Sequence, residues 1–206
     1  MFTSIYSNGT DPPCRSFVID SFKRTWREGE VLLFFYCDFR NELSTSSAEV
    51  MRSILSQLLR QLRGRSVDLG NVLDDLVKAK EWGGGILSNA KELAEFASRA
   101  ARLSSQKPLV VVDALDECKD VRKLIQALMV IRGHVRLLVT SRPWHIIVKD
   151  LEDVPFVSMD EMADKLSADI ALHVTRELDA RHRLRDLDSG FKREIRLVLC
   201  DKADDM

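Results

Sequence analysis

The chain has 206 residues, of which 45% are hydrophobic, and its 31 basic and 32 acidic side chains leave a net charge of −1. This length and hydrophobic content are sufficient for a buried core, so a globular fold is expected. The balanced charges give no electrostatic basis for binding nucleic acid or an anionic membrane. No apolar run is long enough to span a bilayer, and the N-terminus lacks the features of a signal peptide.

The chain begins with a stretch that has no strong periodic pattern, and residues 1–15 are predicted to form an irregular leader. Within this stretch Phe2–Tyr6 (FTSIY) has β-forming residues but little length, and it is a candidate for an extra strand. Residues 17–22 predict a short amphipathic helix. Glu30–Phe35 predicts a buried strand, because its aromatic and aliphatic residues do not alternate with polar ones.

Three helices are predicted before the next strand. The first begins at the capping residues Thr45 to Ser47 and ends near Arg63, and its apolar residues recur at the spacing of a core-facing helix. The second covers residues 69–80 and the third covers residues 89–103. Between them, Gly83–Gly85 has no following Lys or Ser/Thr, which favours a flexible connector over a phosphate loop.

The segment Leu109–Cys118 (LVVVDALDEC) is the most informative for chemistry. Its β-branched run predicts a strand buried in a parallel sheet, and ligands bind at the carboxyl ends of such strands. Asp113 ends this strand and is placed to hold a hydrated Mg²⁺, while Asp116 or Glu117 could orient a water for attack on a phosphate. The alternative interpretation is an ordinary buried strand that runs into an acidic helix cap.

A second buried strand, Val135–Ser141 (VRLLVTS), is followed by Arg142 and a proline. Residues 119–132, between the two strands, predict a connecting helix. In a sheet that handles phosphate, Arg142 would lie beside the Asp113 strand and could reach a γ-phosphate. The alternative is a solvated arginine at the entrance of a loop.

The remainder of the chain is predicted to be mostly helical. Residues 144–152 predict a short helix, Val154–Val157 a brief last strand, and residues 162–178 and 189–199 two helices with mixed charged surfaces. The four cysteines and four histidines do not have the spacing of a zinc site. We therefore expect reduced thiols in a cytoplasmic protein and no metal bound by histidine.

The segment LVVVDALDEC, the helix after it and LLVTSRP resemble the Walker B and sensor segments of the NACHT-type signalling NTPases of the STAND class. Residues 31–62 resemble the aromatic second strand, polar loop and next helix of that family, in its fungal branch with a nephrocystin-3-like N-terminal domain. The resemblance implies a P-loop NTPase fold, a three-layer α/β core with a parallel sheet. It also implies that Asp113 binds Mg²⁺ through water, Asp116 and Glu117 are catalytic, and Asp113 and Arg142 bind the nucleotide.

The chain departs from that family at the phosphate-binding loop, G-x-x-x-x-G-K-[ST]. The corresponding segment, Gly9–Ser16 (GTDPPCRS), has one glycine, two prolines and no lysine. Arg15-Ser16 resembles the Lys-Ser/Thr pair of the motif only weakly. Proline removes an N–H donor and fixes φ, which opposes a backbone cradle for phosphate. We therefore predict that the loop is missing, together with the central strand that precedes it.

These observations predict an irregular leader at 1–15, a truncated NTPase-like core at 16–160 and the start of a helical domain at 161–206. The strands ending near Phe35, Asp113 and Ser141 should be contiguous, with Val154–Val157 beside the Val135 strand or poorly ordered. Without a substitute for the first strand, an exposed central edge would make the chain marginally stable.

Three functions remain open at this point. The first is an NTPase-family domain with weak or no activity, using Mg²⁺ and ATP or GTP if active and no cofactor otherwise. The second is a non-catalytic protein-interaction module or a fragment of a longer NACHT protein, with protein partners or a parent chain and neither nucleic acid nor membrane. The third is a separate α/β binding protein whose motifs are coincidental.

Overall fold

The structure is a computed structural model that describes residues 2–6, 22, 30–39, 46–65, 67–81, 88–158 and 163–204. Five strands form one sheet in the order β2-β3-β4-β1-β5. Their bounds are β1 Phe2–Tyr6, β2 Leu32–Tyr36, β3 Leu109–Asp113, β4 Arg136–Ser141 and β5 Phe156–Ser158. The pairs β2–β3, β3–β4 and β4–β1 are parallel, which confirms an α/β fold with a parallel sheet.

The prediction that the first strand is missing is wrong. Phe2–Tyr6 pairs with β4 along its whole length, from Phe2 beside Leu137 to Tyr6 beside Ser141. Residues 2–6 are therefore a strand, although the sequence analysis included them in an irregular leader. The aromatic and β-branched residues of this segment favour a strand, and pairing satisfies the backbone of β4 on that side.

The position of the last strand also differs from the prediction. It begins at Phe156 and follows β1 in the sheet, so it does not lie beside β4. The expected marginal stability was inferred from an exposed central edge, and β1 covers that edge. The inference therefore loses its structural basis.

The helices of the first compact unit, which contains the described residues between 2 and 156, agree closely with the predicted ones. Their bounds are α1 Ser47–Arg63, α2 Gly70–Glu81, α3 Ala90–Arg102, α4 Val121–Ile131 and α5 His145–Asp150. Ser46 caps α1 by accepting from the N–H of Glu49, and Asn89 caps α3 by accepting from the N–H of Lys91. The predicted helix at 17–22 lies outside the described residues except for Phe22, which is helical.

The main hydrophobic core lies between the sheet and the layer formed by α1, α3 and α4. α3 packs between α1 and α4, so alanines on its buried face, such as Ala94 and Ala97, allow a close approach. The opposite face of the sheet buries a smaller cluster around Leu32, Leu109 and Val111, against which Phe22 packs. Both faces of the sheet therefore bury apolar residues, as expected for a parallel sheet.

The second compact unit contains the described residues of the ranges 157–158 and 163–204. Its helices are α6 Ala163–Ala180, α7 His182–Arg185 and α8 Ser189–Asp204, and α6 packs against both others. Lys192 on α8 pairs with Asp179 at 3.0 Å. Across the described part of the chain, no helix is long and apolar enough to cross a membrane. The predicted identity of this part as the start of a helical domain stays a prediction.

Candidate functional site

The carboxyl ends of β2, β3 and β4 meet at one edge of the sheet. Tyr36 at the end of β2 lies beside Asp113 at the end of β3, and Val112 lies beside Val139 on β4. The N–H of Cys37 donates to the backbone oxygen of Asp113 at 3.0 Å, which continues the pairing one residue past β2. This edge is where ligands bind in open α/β sheets, and it contains the predicted site residues.

The Asp113 carboxylate is held by one oxygen and unsatisfied at the other. Its Oδ1 accepts a hydrogen bond from the hydroxyl of Thr140. Its Oδ2 is shielded from solvent and has no hydrogen-bond partner among the described residues. A buried, unpartnered carboxylate oxygen is costly, so Oδ2 is a place where a donor or a cation would be stabilising.

Ala114, the residue after Asp113, has a left-handed backbone conformation with φ 56° and ψ 52°. It is the only residue other than glycine with positive φ in the described part of the chain. The turn leads directly into a 3₁₀ helix, Leu115–Glu117, in which the N–H of Glu117 donates to the Ala114 oxygen at 2.9 Å. A strained backbone beside a polar strand end is typical of functional sites.

Asp116, one of the two predicted catalytic carboxylates, is buried and fully engaged with the end of β4. Its Oδ1 accepts from the backbone N–H of Arg142 at 3.1 Å and lies 3.3 Å from the hydroxyl of Ser141, which is also 2.9 Å from the Arg142 oxygen. Its Oδ2 lies 3.5 Å from the Arg142 Nε. The structure therefore brings Asp116 and Arg142 together as a pair, in which Asp116 neutralises the predicted phosphate-binding cation.

Glu117, the other predicted catalytic carboxylate, is half-buried on the 3₁₀ helix. Its Oε2 accepts from the backbone N–H of Phe39 at 3.2 Å, which links it to the segment after β2. The catalytic roles of Asp116 and Glu117 and the nucleotide-binding roles of Asp113 and Arg142 stay predictions.

Two features of the site were missed by the sequence analysis. Thr140 contacts Asp113, as described above, and Asp120 anchors the start of α1. The Asp120 carboxylate accepts from the N–H of Ser47 at 2.7 Å and from its hydroxyl at 2.6 Å. Burial alone would raise the pKa of Asp120, but hydrogen bonds together outweigh burial and lower it, the largest from the Ser47 hydroxyl and N–H and smaller ones from Cys118 and the Asp120 backbone.

Two buried cysteines lie at the same edge. Burial raises the pKa of Cys37 far above its usual range, and nearby Cys118 and Asp113 raise it further. Burial also raises the pKa of Cys118, to about 12. Both side chains are free thiols, and at neutral pH they are protonated and behave as core residues.

The donor set fits a solvated divalent ion held by one carboxylate. Within the described ranges, no group of three or more His, Cys, Asp or Glu side chains could hold a metal ion. Asp113, whose Oδ2 has no hydrogen-bond partner among the described residues, is the group at this edge that could hold a hydrated ion such as Mg²⁺. The segment that corresponds in sequence to the phosphate loop, Gly9–Ser16, lies outside the described residues.

Comparison with known proteins identifies the family of the chain. The sequence pattern of the family "Nephrocystin 3, N-terminal" matches residues 14–142, which include β2, β3, β4 and all four predicted site residues. Neither the curated proteins nor the solved structures gave a match. Because the match covers more than half of its length, the chain belongs to the nephrocystin 3 N-terminal family.

Proposed function

We propose that the chain is a nucleotide-binding domain of the NACHT type that retains its metal-binding strand edge, lacks an effective phosphate loop and is weak or inactive as an NTPase. The observation that carries this proposal is that Asp113 Oδ2, at the carboxyl end of a buried parallel strand, has no hydrogen-bond partner among the residues that the structure describes. A buried carboxylate oxygen that has no hydrogen-bond partner lowers the free energy of unfolding. A Mg²⁺ ion whose hydration shell reached Oδ2 would satisfy that oxygen.

Asp113 would hold the ion through water. There, Mg²⁺ would supply positive charge that offsets the negative charge of the phosphates of ATP or GTP. Asp116 or Glu117 would orient a water. The Asp116 carboxylate is engaged with Arg142, and Glu117 accepts from the N–H of Phe39. Arg142 would contact phosphate only if its side chain left Asp116.

The weak binding follows from the segment after β1. In P-loop NTPases the phosphate loop follows a strand, and β1 ends at Tyr6, shortly before Gly9–Ser16. That segment has the length of G-x-x-x-x-G-K-[ST] but carries Cys14 and Arg15 at the places of the second glycine and the lysine. Without the backbone cradle and the lysine, the acidic edge alone would repel a triphosphate.

Isothermal titration of the purified chain with Mg-ATP and Mg-GTP tests this proposal. We expect a dissociation constant on the order of 1 mM. Asp113→Asn should weaken binding and its dependence on Mg²⁺, because one carboxylate charge at the ion is lost. Asp74→Asn, at an exposed position on α2, is the matched control and should bind like the unchanged chain.

The alternative function is a non-catalytic protein-interaction module or a fragment of a longer NACHT protein, supported by the two prolines and the absence of lysine in Gly9–Ser16. If neither nucleotide binds and Asp113→Asn changes nothing, this alternative is favoured. The family match argues against coincidental motifs. The free thiols favour a reducing, cytoplasmic environment.

A further inference from the structure

The Thr140 hydroxyl makes two hydrogen bonds that join the ends of β3 and β4. It donates to the Asp113 Oδ1 and accepts from the N–H of Ala114 at 3.0 Å. A hydroxyl has one proton, and here that proton is committed to Oδ1. Asp113 Oδ2 is consequently the carboxylate oxygen that no described group contacts by a hydrogen bond.

The same hydroxyl also supports the unusual backbone of Ala114. The left-handed turn directs the N–H of Ala114 toward Thr140, where it finds an acceptor. Thr140 therefore fixes both the side chain of Asp113 and the peptide that follows it. A carboxylate fixed at one oxygen offers the other in one direction, whereas an unsupported carboxylate would turn about its side-chain bonds.

We propose that Thr140 is a positioning residue, which holds Asp113 so that Oδ2 faces the place of a divalent cation. This inference rests on the proposed function, because it assigns Thr140 a role through Asp113. The register of β3 and β4 determines this arrangement. Val112 lies beside Val139, and Asp113 and Thr140 are the next residues on the two strands. A residue at another register position of β4 would not reach Oδ1.

The test compares Thr140→Val, which removes the hydroxyl with little change of shape, with Thr140→Ser, which retains it. Thr140→Ala is a second deletion of the hydroxyl in case the valine variant does not fold. Thr175→Val is the matched control, because the Thr175 hydroxyl donates to the Ala171 oxygen within α6 at 2.7 Å. All variants are made in the full chain.

Two measurements are made on each variant. The first, without metal, is the side-chain rotamer of Asp113 from NMR scalar couplings. The second is the affinity for Mn²⁺ alone, from paramagnetic broadening of the Asp113 and Ala114 amide signals. We expect one rotamer in the unchanged chain and Thr140→Ser, averaged rotamers in Thr140→Val, and a Mn²⁺ dissociation constant raised about 3- to 10-fold by loss of the hydroxyl.

An unchanged Asp113 rotamer in Thr140→Val and Thr140→Ala would overturn the inference. Averaged rotamers with unchanged Mn²⁺ affinity would also overturn it, because Thr140 would then be only structural. Absence of any Mn²⁺ effect at Asp113 in the unchanged chain would contradict the proposed function instead. In that case the rotamer measurement still decides whether Thr140 holds Asp113.

Discussion

Ala114 bears the clearest local strain in the described chain. A left-handed conformation costs an L-amino acid about 1–2 kcal/mol, and glycine adopts it without that cost. The side chain of Ala114 is therefore tolerated only because β3, the 3₁₀ helix and the Thr140 hydroxyl together impose this turn.

The first prediction concerns this strain. Ala114→Gly should leave the free energy of unfolding unchanged or raise it by up to about 1 kcal/mol, because relief of strain offsets the greater entropy of the unfolded chain. Ala79→Gly, within α2, is the control and should lower it by about 1 kcal/mol. Urea unfolding measures both. A loss at Ala114 as large as at Ala79 would contradict the strained conformation.

The second prediction separates the two acidic residues of the 3₁₀ helix. Asp116→Asn should lower the free energy of unfolding by about 1–2 kcal/mol, since it leaves Arg142 without its carboxylate partner. Glu117→Gln should lower it less, because Gln still accepts from the N–H of Phe39. If any turnover is measurable, Glu117→Gln should reduce it without weakening nucleotide binding. Equal loss of nucleotide binding in both variants would count against these separate roles.

At the scale of elements, helix α1 secures an exposed edge of the sheet. β2 is the first strand of the sheet, and three of its outer backbone groups are paired with two glutamines of α1. Gln57 accepts from the N–H of Phe34 at 3.1 Å and donates to its oxygen at 2.8 Å, and Gln61 donates to the Leu32 oxygen at 2.7 Å. Such cover protects an edge strand from pairing with another chain.

The third prediction is that Gln57→Ala destabilises the chain by about 1–3 kcal/mol and promotes aggregation, because two backbone groups of Phe34 lose their partners. Gln126→Ala, at an exposed position on α4, is the matched control. Urea unfolding and light scattering provide the two readouts. Identical behaviour of the two variants would show that Gln57 does not protect the edge.

The fourth prediction concerns the start of α1, where Asp120 accepts two hydrogen bonds from Ser47. The pKa of Asp120 is lowered in the folded chain, so its ionised form stabilises the fold above the unfolded value of about 3.9. This contribution is lost as the pH falls through the lower, folded pKa. In acid unfolding, Asp120→Asn should therefore flatten the loss of stability below about pH 4, and an unchanged pH dependence would contradict the role of the Ser47 hydrogen bonds.

At the scale of the whole molecule, long periodic segments were predictable and short or tertiary features were not. The apolar spacing in Ser47–Arg63 predicted α1 to within a residue, and the unbroken run Leu109–Asp113 predicted β3. Phe2–Tyr6 was only a candidate strand, because five residues interrupted by Thr and Ser give little local signal. Backbone pairing with β4 stabilises this strand, and the local sequence alone does not predict that pairing.

The candidate site shows the same division. Asp113, Asp116, Glu117 and Arg142 were predictable because acids and a cation directly after buried strands must meet at the carboxyl edge of a parallel sheet. Strand register and backbone turns determine which oxygen of Asp113 the Thr140 hydroxyl contacts. They also determine that Asp116 pairs with Arg142. Because tertiary packing determines these two contacts, no local sequence pattern predicts them.

The most direct test of the account restores the phosphate-loop pattern. Cys14→Gly with Arg15→Lys converts GTDPPCRS to GTDPPGKS, which has the G-x-x-x-x-G-K-[ST] spacing. Calorimetric titration with Mg-ATP should show a dissociation constant on the order of 1 mM for the unchanged chain and at least about tenfold tighter binding for the double variant. Adding Asp113→Asn to the double variant should remove the gain. Micromolar binding by the unchanged chain, or a gain that persists without the Asp113 carboxylate, would contradict the account.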